Sequence, residues 1–329
     1  MNLYPLKFEP TFRQYIWGGR RLGTKLNKPI GDAKRYAESW EVVDHGDDQS
    51  VIANGSLAGA TLGAIARDHA DELFGKSLRG RQSFARFPLL FKFLDANRTL
   101  SVQVHPNDQQ AALLDPPDLG KSEAWYVIDA EPGSRIYAGL KSGVDRGQLA
   151  AACETGTVDD VLHSFVPEAG DCVNIPAGTV HAIGEGLLVA EIQQSSDTTY
   201  RLFDWNRVDA DGNPRQLHVQ EALEVVDFDA GPVLPVDAVR KPASSRWRLV
   251  TCDKFVLDRI EAESAVSVGG DDQFHIVSAV RGDATVSCGR ESPLSLPFGS
   301  TILIPACAGK VSVQPSGELA FLDAYLSDL

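Results

Sequence analysis

A short strand-like segment carries two polar side chains that are suited to metal binding. In "TLSVQVHPND", which runs from Thr99 to Asp108, Gln103 and His105 lie two residues apart. Alternate residues of a strand project from the same face. This spacing therefore predicts that Gln103 and His105 share one face, while Val102 and Val104 pack on the other. Taken alone, the pair is better explained by two hydrogen-bonded polar residues on a half-exposed strand.

Two later segments add ligands of the same kind. In "GKSEAWYVID", Lys121, Glu123 and Trp125 alternate on one face of a predicted strand, and the turn Pro176–Gly178 precedes His181. Two imidazoles and a carboxylate form a common catalytic zinc set that leaves a coordination position open. The same set suits non-haem iron and other divalent ions. The simpler alternatives are a surface salt bridge for Glu123 and a carbonyl-bonded turn histidine for His181.

A third polar block, "VAEIQQSSDTTYRLFDWNR", runs from Val189 to Arg207. Glu191 and Gln193 share a strand face, and Arg201 follows a polar loop, where reactive groups often lie. Surface ion pairs such as Arg201–Asp204 are the alternative interpretation.

Length, charge and cysteine content limit the function classes. The 329 residues predict two domains or one large double domain. The formal net charge of −14 argues against nucleic acid as a partner, because that affinity requires basic residues. An anionic substrate requires a local basic cluster. Five cysteines without a C-x-x-C pair indicate reduced thiols, and there is neither a secretory signal nor an apolar run of membrane-spanning length. We therefore expect a cytoplasmic protein without membrane contact.

Most of the chain is predicted to form short strands broken by Gly, Pro, Asn or Asp. Helical patterns are confined to a few segments, which are 60–75, 106–116 with Asn107 or Asp108 as N-cap, 144–156, 157–165 and 215–228. A proline-rich stretch at 229–245 is the predicted interdomain connection. The predicted domains are a catalytic one at 1–235 and a C-terminal β domain at 236–329.

An internal repeat indicates that one β-fold occurs twice. "GDCVNIPAGTVH" from Gly170 to His181 matches "GSTILIPACAGK" from Gly299 to Lys310, with glycine and proline in the same places. In the second copy Lys310 takes the place of His181. We therefore predict one metal ion per chain, in the first β-fold, and a C-terminal domain without a metal site.

Six segments resemble the class I, zinc-dependent mannose-6-phosphate isomerases of the cupin superfamily in their short bacterial form. They occur in the order of that family and are "YIWGGRRL", "AESWEV", "PLLFKFLDANRTLSVQVHPND", "GKSEAWYVI", "GDCVNIPAGTVHAIG" and "EIQQSSDTTYRLFDWNR". The resemblance implies a mainly β protein with two cupin (jelly-roll) barrels and several short helices in the N-terminal part. It also implies an aldose–ketose isomerisation of mannose 6-phosphate and fructose 6-phosphate through a zinc-stabilised cis-enediol.

The resemblance also implies roles for individual residues. It suggests one Zn²⁺ held by His105, Glu123 and His181, with Gln103 as a further ligand, and it makes Arg201 catalytic. Because arginine stays protonated, Arg201 is expected to stabilise charge, and Glu191 is the first candidate for the base with Lys121 second. The predicted substrate or phosphate residues are Lys92, Arg207, Glu38 and Trp40.

The family pattern is not followed everywhere. Glu185 stands where cupins often have asparagine, and the helical insertion of larger members is absent, which leaves open what closes the pocket. Two other functions are compatible with the ligand set, namely a non-catalytic sugar-binding cupin and an iron-dependent cupin oxygenase. The expected partner is a small phosphosugar, and the chain is expected to be a monomer or homodimer.

Overall fold

The computed structural model describes residues 3–76, 86–208, 212–241, 244–289 and 291–327. Antiparallel strands outweigh helices in this part of the chain, which confirms the predicted mainly β class. No helix in the described ranges has the length and apolar character needed to cross a lipid bilayer.

Two sheets form the first barrel. The strands of the six-stranded sheet are, in spatial order, Cys172–Ile175, Glu123–Ala130, Leu187–Gln194, Leu89–Ala96, Glu38–Val42 and Thr11–Arg13. Those of the five-stranded sheet are Leu162–Phe165, Ile136–Leu140, His181–Ile183, Val102–Val104 and Tyr200–Phe203. A buried cluster that includes Val127, Val189, Ala138 and Ile183 joins the facing sides of the two sheets. Because alternate residues face inward, polar residues at the matching positions line the same interior.

Two further sheets form the second barrel. Their strands, in spatial order, are Val239–Arg240, Arg246–Thr251, Val256–Ala262, Leu319–Tyr325, His275–Arg281, Thr301–Ile304, Leu6–Glu9 and Val51–Ile52 in the eight-stranded sheet, and Val266–Val268, Val311–Pro315, Ala284–Ser287 and Leu294–Leu296 in the four-stranded sheet. Val277, Ile302 and Val313 belong to the core between these sheets. A separate two-stranded ribbon pairs Asp44–His45 with Asp48–Gln49.

The chain crosses between the two barrels near its beginning. The strand Leu6–Glu9 pairs with Thr301–Ile304 of the second barrel and with Val51–Ile52. A single apolar cluster contains residues from both barrels, among them Leu6, Phe91 and Leu322. The two barrels therefore share a core, and the division at residues 235 and 236 stays a prediction.

Short helices accompany the sheets, and two of them share an apolar cluster with the five-stranded sheet. They are Arg21–Thr24, Leu62–Asp68, Ala70–Phe74, Asp108–Ala111, Arg146–Thr155 and Val219–Val225, with 3₁₀ turns at Gly55–Leu57, Val158–Asp160 and Ala306–Ala308. The expected cap at Asn107 is confirmed, because its side chain accepts a hydrogen bond from Gln110 N–H and Gln110 returns one in a capping box.

Four predicted helices differ in extent or type, and the one predicted at 106–116 is limited to Asp108–Ala111. The helix predicted at 60–75 is two helices, because His69 takes a non-helical conformation between them. The helix predicted at 215–228 is limited to Val219–Val225, since the preceding segment hydrogen-bonds to Arg201. The helix predicted at 157–165 is wrong: a 3₁₀ turn leads into Leu162–Phe165, which pairs with a neighbouring strand. The partner strand overrides a weak local helical preference.

The two repeat segments occupy similar places in their barrels. Gly170 and Gly299 both have positive φ, at 101° and 79°, and each precedes a strand of the larger sheet. Glycine adopts this conformation without the steric penalty that a side chain brings. The shared turn is consistent with the predicted repeat of one β-fold.

Candidate metal centre and substrate cavity

The three predicted metal ligands from separate strands converge inside the first barrel. One donor atom each from His105, Glu123 and His181 lies within 4.8 Å of the other two, and all three side chains are buried. Nε2 of His105 lies 3.5 Å from Glu123 Oε2, and Nε2 of His181 lies 3.4 Å from Glu123 Oε1. The two imidazoles thus flank one carboxylate.

Backbone carbonyls orient both imidazoles. Nδ1 of His105 lies 2.9 Å from the carbonyl oxygen of Thr198, and Nδ1 of His181 lies 2.9 Å from that of Thr179. A carbonyl accepts only, so each Nδ1 carries the proton and each Nε2 keeps its lone pair. This arrangement is typical of histidine ligands in metal sites, where the second nitrogen is held by an outer partner.

The turn at Pro176–Thr179 links the three ligand segments. Gly178 N–H donates to the carbonyl oxygen of His105 at 2.9 Å, and Ala177 N–H donates to Ser122 Oγ at 3.1 Å. His181 itself begins the strand that follows the turn. One turn therefore positions both histidines relative to the strand that carries Glu123.

Electrostatics place the three ligands in the protonation states that a metal requires. Burial, reinforced by the Lys121 ammonium, lowers the pKa of His105 to about 3, and burial lowers the pKa of His181. Burial alone would raise the pKa of Glu123, but the charges of Lys121 and His105 outweigh it and hold that pKa well below its usual value. Neutral imidazoles and an ionised carboxylate are the metal-binding forms.

Unsatisfied polar atoms show that a cation fits this donor set. His181 Nε2 and Glu123 Oε2 are buried without a properly directed hydrogen bond. The Lys121 ammonium lies 2.8 Å from Glu123 Oε2 and 3.0 Å from His105 Nε2, so a positive charge already contacts two members of the set. Unpaired polar groups in a protein interior are costly, and a bound divalent cation would satisfy them.

Gln103 lies on the strand between the metal centre and Arg201. It is directly opposite His181 on one side and Arg201 on the other. Directly opposed residues of antiparallel strands project from the same face, so the three side chains share the barrel interior. The structure therefore brings Gln103 to the ligand cluster, as the sequence predicted.

A cavity of about 260 Å³ adjoins the cluster. Its wall includes a row of directly opposed residues in the six-stranded sheet, formed by Trp125, Glu191 and Lys92. The complete lining is Tyr15, Trp17, Glu38, Lys92, Leu94, Leu100, Ser101, Gln103, Lys121, Trp125, Ile183, Glu191, Asp197, Thr199, Arg201 and Arg215.

Burial and the neighbouring charges bring the pKa of Glu191 close to neutral pH. Burial and repulsion from Glu123 raise its pKa to about 7, although Lys92 lies only 3.2 Å from Glu191 Oε1. Burial acts to lower the pKa of Lys92, but Glu191 and Glu38 outweigh it and raise that pKa. Lys92 therefore stays charged between two carboxylates, and Glu191 has the pKa expected of a general base at neutral pH.

Arg201 is fixed at the opposite wall. Its Nε donates to Ser101 Oγ at 3.2 Å and one Nη donates to the Gln216 carbonyl at 2.8 Å. Burial and the nearby Arg215 lower its pKa, but a guanidinium remains protonated in proteins. The cavity thus has a permanent positive charge across from its carboxylates.

Arg215 is the main residue of the cavity that the sequence did not reveal. It lines the cavity, and Nη1 is buried without a hydrogen bond, 3.6 Å from Asp204 Oδ1. The helical pattern at 215–228 had placed Arg215 at the start of a helix. The sequence signal that could have identified Arg215 is its position as a basic residue in a loop that follows the polar block Val189–Arg207.

Two residues predicted for the substrate lie outside the lining. The ring of Trp40 is buried, and its Nε1–H donates to Glu38 Oε2 at 2.5 Å, so Trp40 contacts the cavity through Glu38. Arg207 binds Asp204 and the Thr99 carbonyl and faces a different cavity. Their roles in substrate binding stay predictions.

Comparison with known proteins agrees with this geometry. Residues 5–127 match the family model "Phosphomannose isomerase type I, catalytic domain". The chain is 35% identical over 319 residues to mannose-6-phosphate isomerase ManA of Bacillus subtilis, covering 97% of this chain and 98% of that protein. The crystal structure of mannose 6-phosphate isomerase from Bacillus subtilis superimposes with a TM-score of 0.88 at 28% identity, covering 98% of this chain and 100% of the other.

A second solved structure extends the likeness in fold. A mannose 6-phosphate isomerase bound with zinc and yttrium superimposes with a TM-score of 0.75 at 18% identity, covering 99% of this chain and 100% of that one. The fold is shared over almost the whole length, and the identity to ManA is 35% over 97% of this chain. This chain therefore belongs to the type I phosphomannose isomerase family.

Proposed function

We propose that this protein interconverts mannose 6-phosphate and fructose 6-phosphate through a cis-enediol. The observation that carries the proposal is a buried cavity in which Glu191, with a pKa near 7, faces Arg201 beside a His–Glu–His cluster. The reaction moves a proton between C2 and C1, which requires a base, stabilisation of negative charge and an anchor for the phosphate. The relative with 35% identity carries the same activity in its name.

We propose that the His–Glu–His cluster holds one zinc ion per chain, with Gln103 as a further ligand. The lone pairs of both Nε2 atoms and the ionised Glu123 supply the nitrogen and oxygen donors that zinc prefers. When bound, the ion supplies Lewis-acid stabilisation of negative charge on substrate oxygens. In the second barrel both ring nitrogens of His275 are already occupied, by Asp323 at 2.8 Å and Asp271 at 3.0 Å.

Glu191 is the proposed base. Its Oε1 is buried without a properly directed hydrogen bond and lines the cavity, so it is available to take a proton from the substrate. Lys92, directly opposite it, keeps the carboxylate in position through the 3.2 Å ion pair. Lys121 is the second candidate, because it lines the cavity with its Nζ 3.9 Å from Glu191 Oε1, and it would act as a base only as the neutral amine.

Two arginines are proposed to receive the negative charge of substrate and transition state. Arg201 is fixed by Ser101 and Gln216 and would stabilise the charge that develops on the enediolate oxygens. Arg215 has a buried Nη1 without a hydrogen bond to the described residues. This guanidinium would bind the substrate phosphate, since arginine binds phosphate in a bidentate manner. Glu38, with Trp40 behind it, would accept hydrogen bonds from sugar hydroxyls.

The test compares wild type with Arg201→Ala in an isomerase assay, with zinc measured on the same samples. We expect kcat to fall by roughly 100- to 1000-fold while zinc stays at one per chain, because Arg201 stabilises charge and does not ligate the metal. Arg135→Ala, at an exposed arginine, is the matched control and should keep full activity. A metal-loaded wild type without turnover of either phosphosugar would refute the proposed function, and zinc loss in Arg201→Ala would refute the proposed role.

A further inference from the structure

A second cavity of about 820 Å³ lies beside the substrate cavity and has a basic lining. Six basic side chains and one acidic side chain, Glu131, contribute to it, although the whole chain has a net charge of −14. The basic residues are Arg20, Arg21, Lys34, Arg35, Arg98 and Arg207. The local charge is thus opposite in sign to the global charge.

Four of these cations have no acidic partner in the part of the chain that the structure describes. Among those residues, no hydrogen bond or ion pair engages the exposed side chains of Lys34 and Arg98. Within the described residues, Arg20 donates only to the carbonyls of Gly31 and Ala33, and Arg35 donates only to that of Ile16. Carbonyl bonds hold these guanidinium groups in place without neutralising them.

The other two cations form the inner wall and are neutralised. Arg21 pairs with the buried Asp95 at 2.8 Å, and Arg207 pairs with Asp204. The lining also includes neutral polar side chains, namely the hydroxyl of Thr24 and the amides of Asn97 and Asn206. Within the described ranges no aromatic side chain belongs to the lining, so no ring there would stack on a nucleobase.

We propose that this second cavity binds a small organic anion that carries two phosphate groups. Four uncompensated cations match the charge of such a ligand, and guanidinium groups suit phosphate oxygens geometrically. The volume lies in the range of small-molecule sites. The anion would contact Lys34 and Arg98, with Arg20 and Arg35 as fixed donors.

The two cavities are connected through Asp204. This buried carboxylate binds Arg207, which lines the second cavity, and lies 3.6 Å from Arg215, which lines the first. An anion that attracts Arg207 would free Asp204 to pair with Arg215. Because that pairing competes with the substrate phosphate, the ligand of the second cavity raises KM for the phosphosugar. This coupling rests on the proposed function, whereas the binding itself does not.

The binding test is calorimetric titration of the zinc-loaded protein with propane-1,3-diol bisphosphate, with zinc content measured before and after. We expect Lys34→Gln/Arg98→Gln to weaken binding about tenfold or more, and wild-type binding to weaken as salt increases. Lys141→Gln/Lys310→Gln removes the same charge from exposed positions elsewhere and should bind as wild type does. Equal affinity of the two double variants, or no binding by wild type, would overturn the site.

The coupling test measures isomerase kinetics with and without the bisphosphate. We expect KM to rise about fivefold or more in wild type with kcat unchanged, and to stay constant in Lys34→Gln/Arg98→Gln. A similar rise in KM in that variant would mean that the bisphosphate competes in the substrate cavity, which refutes the coupling. If no isomerase activity is found but variant-sensitive binding is, the proposed function fails and the site stands.

Discussion

Two buried carboxylates of one sheet, Glu123 and Glu191, titrate very differently. Glu123 lies between the Lys121 ammonium and two imidazoles, which hold its pKa well below the usual value. Burial, together with repulsion from Glu123, raises the pKa of Glu191 to about 7. Such a separation between neighbouring carboxylates commonly divides their roles, which supports Glu123 as the proposed ligand and Glu191 as the proposed base.

The proposed base predicts a pH dependence. A base acts in its ionised form, so kcat should rise as pH increases through the pKa of Glu191. A cation on Glu123 cancels part of the repulsion that raises this pKa, so the zinc-loaded enzyme should reach half its maximal kcat at or below about pH 7. Glu191→Gln should lower kcat by roughly 100- to 10,000-fold and remove this acid limb.

The measurement is kcat against pH for wild type, Glu191→Gln and Lys121→Gln, with zinc quantified in each sample. An acid limb that persists in Glu191→Gln and disappears in Lys121→Gln would transfer the role of base to the lysine.

Arg215 predicts a defect in substrate binding. Loss of a charged hydrogen bond costs about 1.5–3 kcal/mol, so Arg215→Ala should raise KM for mannose 6-phosphate roughly tenfold to a hundredfold with a smaller change in kcat. Competitive inhibition by inorganic phosphate should weaken in parallel. Arg215→Lys should recover part of the binding, because it restores the charge without the planar donor geometry. An unchanged inhibition constant for phosphate in Arg215→Ala would contradict the anchor.

Among the local elements, the turn Pro176–Thr179 has the largest influence on the metal centre. Gly178 has φ of 87°, and its N–H donates to the His105 carbonyl. A Cβ atom at this position would lie 3.1 Å from the Asp227 Cβ and 3.2 Å from the Val225 carbonyl oxygen. Conformation and space therefore both require glycine.

This turn predicts a combined loss of stability and metal affinity. Gly178→Ala should lower the free energy of unfolding by about 1–3 kcal/mol and weaken zinc binding, because the turn positions both histidines. Gly133→Ala is the matched control, since Gly133 has φ of 88° and open space where a Cβ atom would lie. We expect that control to lose stability from backbone strain alone and to bind zinc as tightly as wild type. The measurements are urea unfolding and competition with a zinc chelator. Zinc affinities that fall equally in the two variants would contradict the role of the turn.

The whole molecule is joined by a core that crosses the barrel boundary. The strand Leu6–Glu9 inserts between Thr301–Ile304 and Val51–Ile52, and the six-stranded sheet packs against the eight-stranded sheet through residues such as Phe91 and Leu322. We therefore propose that the two predicted domains, 1–235 and 236–329, depend on each other for stability.

Leu6→Ala tests this dependence. Leu6 is fully buried in the shared core, so the substitution should cost about 2–5 kcal/mol of unfolding free energy. Leu113→Ala, at a leucine that is 87% exposed, should change stability by less than about 0.5 kcal/mol. Urea unfolding followed by circular dichroism and by zinc release should give coincident midpoints in wild type and in Leu6→Ala. If Leu6→Ala unfolds the second barrel while zinc stays bound, the barrels are independent.

The amino-acid sequence by itself predicted the cluster of His105, Glu123 and His181 and the fold class, and the resemblance of six segments indicated the family. Strand alternation predicted the shared face of Gln103 and His105, and the Pro-x-Gly turn indicated His181. Those signals are local, because two-residue periodicity and glycine chemistry are properties of a few adjacent residues. A helix cap at Asn107 or Asp108 was predicted for the same reason, and Asn107 is the residue that caps the helix.

Only the tertiary structure decided which distant residues meet. Arg215 lines the substrate cavity, whereas Arg207 lines the second cavity. The segment 157–165 contains a strand in place of the predicted helix. These outcomes depend on partners that are far away along the chain, such as Asp204 and the strand Ile136–Leu140. The pKa of Glu191 belongs to the same class, since burial and the field of residues on other strands set it.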